Sequence, residues 1–378
     1  MQVKDFVDIL GGDFYAGVPD SLLKPLCNYL MYQYGDANEH HVIAANEGNA
    51  VAVAAGYYLS TGKVPIVYMQ NSGEGNAINP VASLLSPDVY GIPEIFVIGW
   101  RGEPGKKDEP QHVYQGKVTL ALLDVMQIPY FVLSEETPVD EVAKVRERFA
   151  YYLNKGQAVA FVVKKGALKY DKKATYKNDY SLTREDVIKE IVAVSDGAPI
   201  VSTTGKTSRE LYELRERLAV DTDGGCTYNK DFLTVGSMGH SSSIALGIAL
   251  QKPGQDIWCL DGDGASIMHM GAMAAIGKVH PDNFIHVLLN NEAHESVGGL
   301  PTAADRVDFL SVAKGCGYDC VWQVRDIVKL RECLQHCKAI KGLRFLEVKV
   351  TIGSRQDLGR PSRTPQENKR SFMHFLMR

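Results

Sequence analysis

Asp263 and Asn291 are the residues whose types and spacing could most directly do chemistry here. Gly262-Asp263-Gly264 closes a short apolar run, 257–260, and Asn290-Asn291 closes a second, 284–289. A helix-like run, 265–279, lies between them. Strand, helix and strand in one sheet make the strands parallel, and parallel sheets place ligands beyond the carboxyl ends of their strands. A carboxylate and an amide oxygen at two such ends suit a hard divalent cation that itself holds phosphates. Two ordinary βα turns would also use Gly, Asp and Asn; the paired Asn290-Asn291 favours the metal–phosphate reading.

Three other stretches offer chemistry. Glu47 stands where a strand hands over to a small-residue helix, flanked by Ala44, Ala45, Ala50 and Val51. It could complement a helix dipole, or be a buried acid that holds or shares a proton. His112 lies in 99–116, GWRGEPGKKDEPQHVYQG, which reads as a loop. It could be a general acid, a substrate hydrogen-bond donor or a solvated histidine. Thr203-Thr204-Gly205-Lys206-Thr207-Ser208 opens a helix with hydroxyl and glycine residues that can cradle phosphate oxygens. Its single glycine and its spacing do not make a Walker P-loop.

The elements that position these residues alternate. In the first half, strands read at 13–16, 41–45, 64–69, 94–98, 130–133 and 158–163, with helices between them. In the second half, strands read at 200–202, 257–260, 284–289, 321–324 and 344–350. This pattern predicts an α/β fold with two mostly parallel sheets flanked by helices. A charged stretch poor in aliphatic residues separates the halves. The expected division is a domain at 1–167, a linker at 168–182 and a domain at 183–378. Thr183 is the expected N-cap of the helix that restarts the chain, with Asp186 three residues on. The tail from 352 is polar, although Phe372, Phe375 and Leu376 could dock a last helix.

With 378 residues, a net charge of −4 and interspersed charges, nothing draws the chain to nucleic acid or to a membrane surface. The N-terminus lacks a signal-peptide core and no apolar run reaches spanning length, so a cytoplasmic location is expected. Seven scattered cysteines argue against a disulfide framework. Cys316/Cys320 and Cys333/Cys337 read as core thiols rather than a zinc site.

GDG followed by NN resembles the metal–diphosphate signature of thiamine diphosphate (ThDP)-dependent decarboxylases. ANEGNAVAVAAGYYLSTGKVPIVYMQNSGEGNAINPVASL resembles their pyrimidine-binding domain. AGVPDSLLKPLCNYL, STTGKTSREL, NNEAHESVGGLPT and DLGRPSRTPQENKRSFMHFL extend the likeness over nearly the whole chain. The resemblance implies a pyrimidine-binding and a diphosphate-binding domain with no middle domain, and ThDP and Mg2+ as cofactors. It implies a homo-oligomer, at least a dimer, with ThDP between chains. Glu47 would contact the aminopyrimidine and promote its imino tautomer. Asp263, Asn291 and the Ala293 carbonyl would bind Mg2+, with Gly264 and Ala265 beside the cofactor.

Thr204 and Gly205 match the Thr-Gly-x-x-Ser turn that helps hold ThDP. In the turn Gly236-Ser237-Met238, Gly236 would offer a backbone carbonyl to the pyrimidine and Met238 an apolar wedge that bends the cofactor. His112 matches the region of the active-site histidines, although Gln111 stands where some relatives have a second one. The short two-domain members act on 3-phosphonopyruvate or 3-sulfopyruvate, whose head groups need cations or hydrogen-bond donors. Asp20, Ser21, His294, Ser296, Arg355 and Arg360 are the candidates for that role.

Overall fold

The structure is a computed structural model that describes residues 1–221 and 230–378, without the side chains of 219–221 and 296. The chain forms two compact units. One comprises Met1–Thr175 with Val297–Leu300, the other Tyr176–Ser296 with Pro301–Arg378. Among the described residues, no helix is long and apolar enough to cross a membrane.

The first unit holds β1 (Tyr15–Gly17), β2 (His41–Ile43), β3 (Ile66–Gln70), β4 (Ile95–Gly99), β5 (Tyr130–Leu133) and β6 (Val159–Val163). They form one sheet in the order β2-β1-β3-β4-β6-β5, parallel at every pairing. The second unit holds β7 (Ile200–Ser202), β8 (Asp231–Leu233), β9 (Ile257–Gly262), β10 (Phe284–Asn290) and the two-residue strand β11 (Ala293–His294). Beyond the short strand β12 (Leu300–Pro301), it continues with β13 (Cys320–Val324) and β14 (Arg344–Lys349). Its sheet runs β13-β14-β10-β9-β7-β8, again parallel throughout.

Continuous apolar strands follow from helices covering both faces. Ile66, Tyr68, Ile95 and Val97 point into one core of the first unit, while Val67, Met69, Phe96 and Ile98 point into the other. In the second unit, Trp258, Leu260, Ile285 and Val287 face one layer, and Ile257, Cys259, Phe284 and Leu288 the opposite one. Each such fully buried side chain contributes about 1.5–3 kcal/mol. The six described cysteines are free, with Cys27, Cys259 and Cys337 buried; Cys226 lies outside the described residues.

Several elements differ from the sequence expectation. Residues 99–116 are not all loop, because a helix begins at Pro110 and runs to Val125. Pro110 occupies the first helical position, where its missing N–H is no loss. The buried face is His112, Gly116, Thr119 and Leu123, a helical spacing disguised by polar and small residues.

The helix expected to run to Leu85 is interrupted. Glu74–Pro80 gives way to a π turn, Val81–Leu85, at a proline that cannot donate. The run 265–279 is likewise two helices, Asp263–Met268 and Gly271–Val279. Strand β8 is absent from the sequence expectation, since three residues carry too little pattern. The tail folds as a helix, Pro365–Leu376, with a capping box between Thr364 and Glu367. Phe372 anchors it against Phe232, with ring centroids 5.7 Å apart. Thr183 and Asp186 form the other capping box, as their positions predict.

Candidate active site

In the second unit, the carboxyl ends of β7, β9 and β10 lie side by side. Leu289 pairs with Gly262 and Ser202 with Leu260. The sequence-distant residues Thr204, Asp263 and Asn291 therefore share one sheet edge. Asp263 is 3 % exposed. Its Oδ2 accepts a 2.5 Å hydrogen bond from the Thr302 hydroxyl. Burial raises its pKa to about 6, against the lowering effect of Thr302 and of the backbone N–H groups of Asp263, Asn291 and Gly264. Asn291 is buried too. Its Nδ2 donates to Glu295 Oε2 at 3.0 Å, and its Oδ1 accepts from the Ala293 N–H at 3.0 Å.

A side chain at Gly264 would sit 3.2 Å from the His294 ring and 3.3 Å from Met238 Cε. Met238, Gly264 and His294 thus converge beside Asp263, and the glycine keeps that space open. The turns after β7 and β8 are tied together, because Thr204 Oγ1 accepts from the Gly236 N–H at 2.9 Å. Gly205 and Gly236 both have positive φ, Ser237 is exposed and Ala265 buried. Burial pushes the His294 pKa down to about 4, which favours the neutral ring. The Ser296 side chain lies outside the described residues.

Arg355 is bonded to Glu185, Glu213 and Asp357, so three carboxylates engage its guanidinium. Arg360 is exposed on the segment after it.

The first unit builds its own edge. Asn46 caps the helix Glu47–Thr61, accepting from the Asn49 N–H. Glu47 follows as the first helical residue and is 5 % exposed. Its Oε2 accepts from Asn76 Nδ2 at 2.7 Å. Burial raises its pKa above the usual carboxyl range, against Asn76 and its own backbone N–H. A Cβ on Gly73 would lie 2.5 Å from the Glu47 carboxyl, so only glycine leaves that carboxyl its place.

Asp20 is fully buried and caps the turn after β1. Its Oδ2 accepts from the N–H groups of Leu22 and Leu23, both at 3.1 Å, and its Oδ1 accepts from Gln70 at 2.7 Å. Ser21 Oγ accepts from Arg101 Nη1 at 2.8 Å. Asp108 grips the Arg101 fork and is held well below the usual carboxylate range by it. His112, in the first turn of its helix, is buried, and its Nδ1 has no partner among the described residues. Burial, and then the charge of Arg101, push its pKa down to about 4.

Some partners carry no obvious signal in the sequence. Asn76 and Gly73 frame Glu47, Thr302 meets Asp263, and Glu295 and Lys206 face Asn291 and the Thr204 turn. All five lie within stretches that carry the resemblance, which singles out none of them.

Two properties show that the second edge suits a cation holding phosphates. Asp263 is a buried carboxylate whose side-chain partner, among the described residues, is a neutral hydroxyl. The Asn291 N–H reaches the same carboxylate, and Asn291 and Ala293 bring amide and backbone oxygens to this edge, oxygen donors of the kind hard cations take.

The model described as thiamine pyrophosphate enzyme, N-terminal TPP binding domain, matches residues 4–128, and that of the C-terminal TPP binding domain matches residues 221–348. The chain belongs to the thiamine pyrophosphate enzyme family. It is 34 % identical over 384 residues to a phosphonopyruvate decarboxylase of Streptomyces viridochromogenes, covering 97 % of this chain and 92 % of that protein. A phosphonopyruvate decarboxylase of Streptomyces hygroscopicus is also 34 % identical, with 97 % and 91 % covered. A sulfopyruvate decarboxylase of Methanosarcina acetivorans is 28 % identical, with 99 % and 97 % covered.

The His112 environment has a measurable consequence. The unfolded chain binds a proton at this residue near 6.5, the folded chain only near 4. Between those values the unfolded state holds more protons, so His112 adds stability as pH rises through that window and removes it as pH falls. Chemical denaturation from pH 4 to 7 should show wild type gaining stability with pH relative to His112→Gln. Parallel profiles would refute a buried neutral imidazole.

Proposed function

We propose that the protein is a ThDP- and Mg2+-dependent decarboxylase that converts 3-phosphonopyruvate to phosphonoacetaldehyde and CO2. The observation that carries this reading is that one chain holds both halves of the chemistry. These are a buried acid, Glu47, with a raised pKa, and the Asp263–Asn291 oxygen set at a parallel sheet edge. A non-catalytic family member acting as a scaffold or regulatory subunit would have no need of both.

Each residue has a role that its environment supports. Asp263 Oδ, Asn291 Oδ1 and the Ala293 carbonyl would hold Mg2+ and through it the diphosphate. The Thr204–Gly236 hydrogen bond holds together the two turns that flank this edge, with Gly205, Ser237 and Ala265 alongside. Met238 would support the cofactor ring, and Gly264 leaves the space for it. Bound ThDP supplies the electron sink for the carbanion left when CO2 departs. Glu47 would hold or share a proton with the pyrimidine nitrogen, a task suited to a carboxyl whose pKa burial raises. His112 and His294, both neutral, are fitted to orient substrate by hydrogen bonds or to pass a proton. The burial of Glu47 and Asp263 is consistent with a dry site, which would favour loss of a carboxylate.

Substrate identity rests on the relatives: 34 % identity to the phosphonopyruvate decarboxylase against 28 % to the sulfopyruvate decarboxylase. Decarboxylation of 3-sulfopyruvate to sulfoacetaldehyde is the second reading. Ser21, with Arg101 behind it, and His294 are the best placed head-group candidates. Asp20 is engaged as a turn cap, and Arg355 is engaged by the carboxylates of Glu185, Glu213 and Asp357. The family arrangement further requires a homo-oligomer of at least two chains.

A side-by-side steady-state assay with Mg2+ and ThDP tests the reading. Turnover should be fastest on phosphonopyruvate, slower on sulfopyruvate and slowest on pyruvate; equal rates on pyruvate would sink the assignment. Glu47→Gln should lose turnover while still binding ThDP, and Asp263→Ala should lose ThDP binding itself. Gly73→Ala, which pushes into the Glu47 carboxyl, should cut kcat by about 10²-fold. Gly75→Ala, which meets nothing within 4 Å, should be neutral; equal effects from both would mean that Gly73 does not set the place of the carboxyl.

A further inference from the structure

Glu295 lies four residues beyond Asn291, and its carboxylate gathers three donors from three parts of the second unit. Asn291 Nδ2 donates to Oε2 at 3.0 Å, Arg184 Nη1 to the same oxygen at 2.6 Å, and Lys206 Nζ to Oε1 at 2.7 Å. Arg184 opens the helix Arg184–Ser195, and Lys206 opens the helix Lys206–Asp221 beside the Thr204 turn. Arg184 is 6 % exposed and turns its other face onto Glu210, with Nε and Nη2 each 2.7 Å from a carboxylate oxygen. Glu295 is thus fixed from behind by a buried ion cluster.

An asparagine amide has two unlike ends, and rotation about its last torsion is broad. With Nδ2 towards a cation it repels; with Oδ1 it ligates. The carboxylate of Glu295 can accept only the NH2 end, and the Ala293 N–H can meet only the oxygen end. These two contacts fix which way the amide points. We infer that Glu295 is a positioning residue for the divalent cation: it commits the Asn291 amide to present oxygen, and its link to Lys206 joins that commitment to the diphosphate turn. The inference rests on the reading of Asp263 and Asn291 as cation ligands. It adds a residue that touches neither cation nor cofactor but sets the ligand.

A structural clamp and a positioning residue are separable here, because Glu210 binds Arg184 without being bonded to Asn291. The experiment is calorimetric ThDP binding to the full chain across a Mg2+ series. Glu295→Ala should raise the Mg2+ concentration for half-saturation by about 10–100-fold, the range for residues that orient a metal ligand. Glu295→Gln, which keeps an acceptor oxygen, should raise it less. Glu210→Gln should lower the melting temperature and leave the Mg2+ requirement within about twofold.

Asn291→Asp supplies a discriminating background, since both ends of its side chain are oxygen. There, Glu295→Ala should no longer raise the requirement, a non-additivity that marks direct coupling. The inference is overturned if Glu295→Ala shifts the Mg2+ requirement no more than Glu210→Gln does, or shifts it equally in both backgrounds. If Glu295→Ala does not fold, Glu295→Gln in the two backgrounds tests the same coupling, and an equal shift in both overturns it. A wild type that binds ThDP without regard to Mg2+ would instead overturn the cation reading itself.

Discussion

The burial of the Asp263 carboxyl is the constraint on which the second unit turns. A carboxylate removed from water is costly unless paired or hydrogen-bonded, and here the side-chain partner, among the described residues, is the Thr302 hydroxyl. Backbone N–H groups of Asp263, Gly264 and Asn291 offset part of that cost. The remainder shows as a pKa raised to about 6. The surroundings keep the group in place. β9 ends in register with β10, so Asn291 cannot drift from Asp263 without disturbing β10, a strand buried at every residue. A divalent cation would remove the unfavourable term directly, and stability and cofactor affinity are linked through this one group.

Glu47 shares the burial but meets a different partner. It stands at the start of the helix Glu47–Thr61, and its partner is an amide donor, Asn76, rather than a hydroxyl. Where Asp263 has the Asn291 amide oxygen for a neighbour, Glu47 has the Asn76 NH2 group. Burial raises its pKa, and the Asn76 donor works against that shift. Two acids at two parallel-sheet edges are thus each pushed up by burial, one meeting a hydroxyl donor and the other an amide donor.

The alternation of strands and helices, the two sheets and the identity of the edge residues were legible because parallel strands write themselves as apolar runs and their ends as Gly, Asp and Asn. What was not legible has a common cause. Three-residue β8 is too short for a pattern, and the helix from Pro110 hides its buried face in His112, Gly116 and Thr119. Thr302, Asn76 and Glu295 reach their partners across 39, 29 and 4 residues. Only Glu295 is local, and even there the carboxylate is indistinguishable in sequence from a solvated charge. The same limit applies to Arg355, where a plausible anion binder turns out to be held by carboxylates of Glu185, Glu213 and Asp357.

Glu292 shows how much of the edge is built by residues that do no chemistry. It follows Asn291 with φ +60°, a left-handed conformation that costs an ordinary L residue about 1–2 kcal/mol. A glycine would avoid that cost but would give up the side chain. Here the carboxylate accepts from Tyr176 at 2.6 Å, Tyr180 at 2.5 Å and Lys349 at 3.1 Å. Its N–H donates to Asn290 Oδ1 at 3.0 Å, and its carbonyl accepts from the Thr302 N–H at 3.0 Å. Thr302 is thereby held at both ends, by the Glu292 backbone and by Asp263. The strained turn is what brings the neutral hydroxyl to the buried carboxylate, while Lys349 ties the same turn to β14. The backbone that offers the Ala293 carbonyl is therefore fixed by a strained residue on one side and by the Asn291–Glu295 contact on the other. An edge assembled this way is ordered by its own contacts, and a cation taken there would find the ordering cost met during folding rather than at binding.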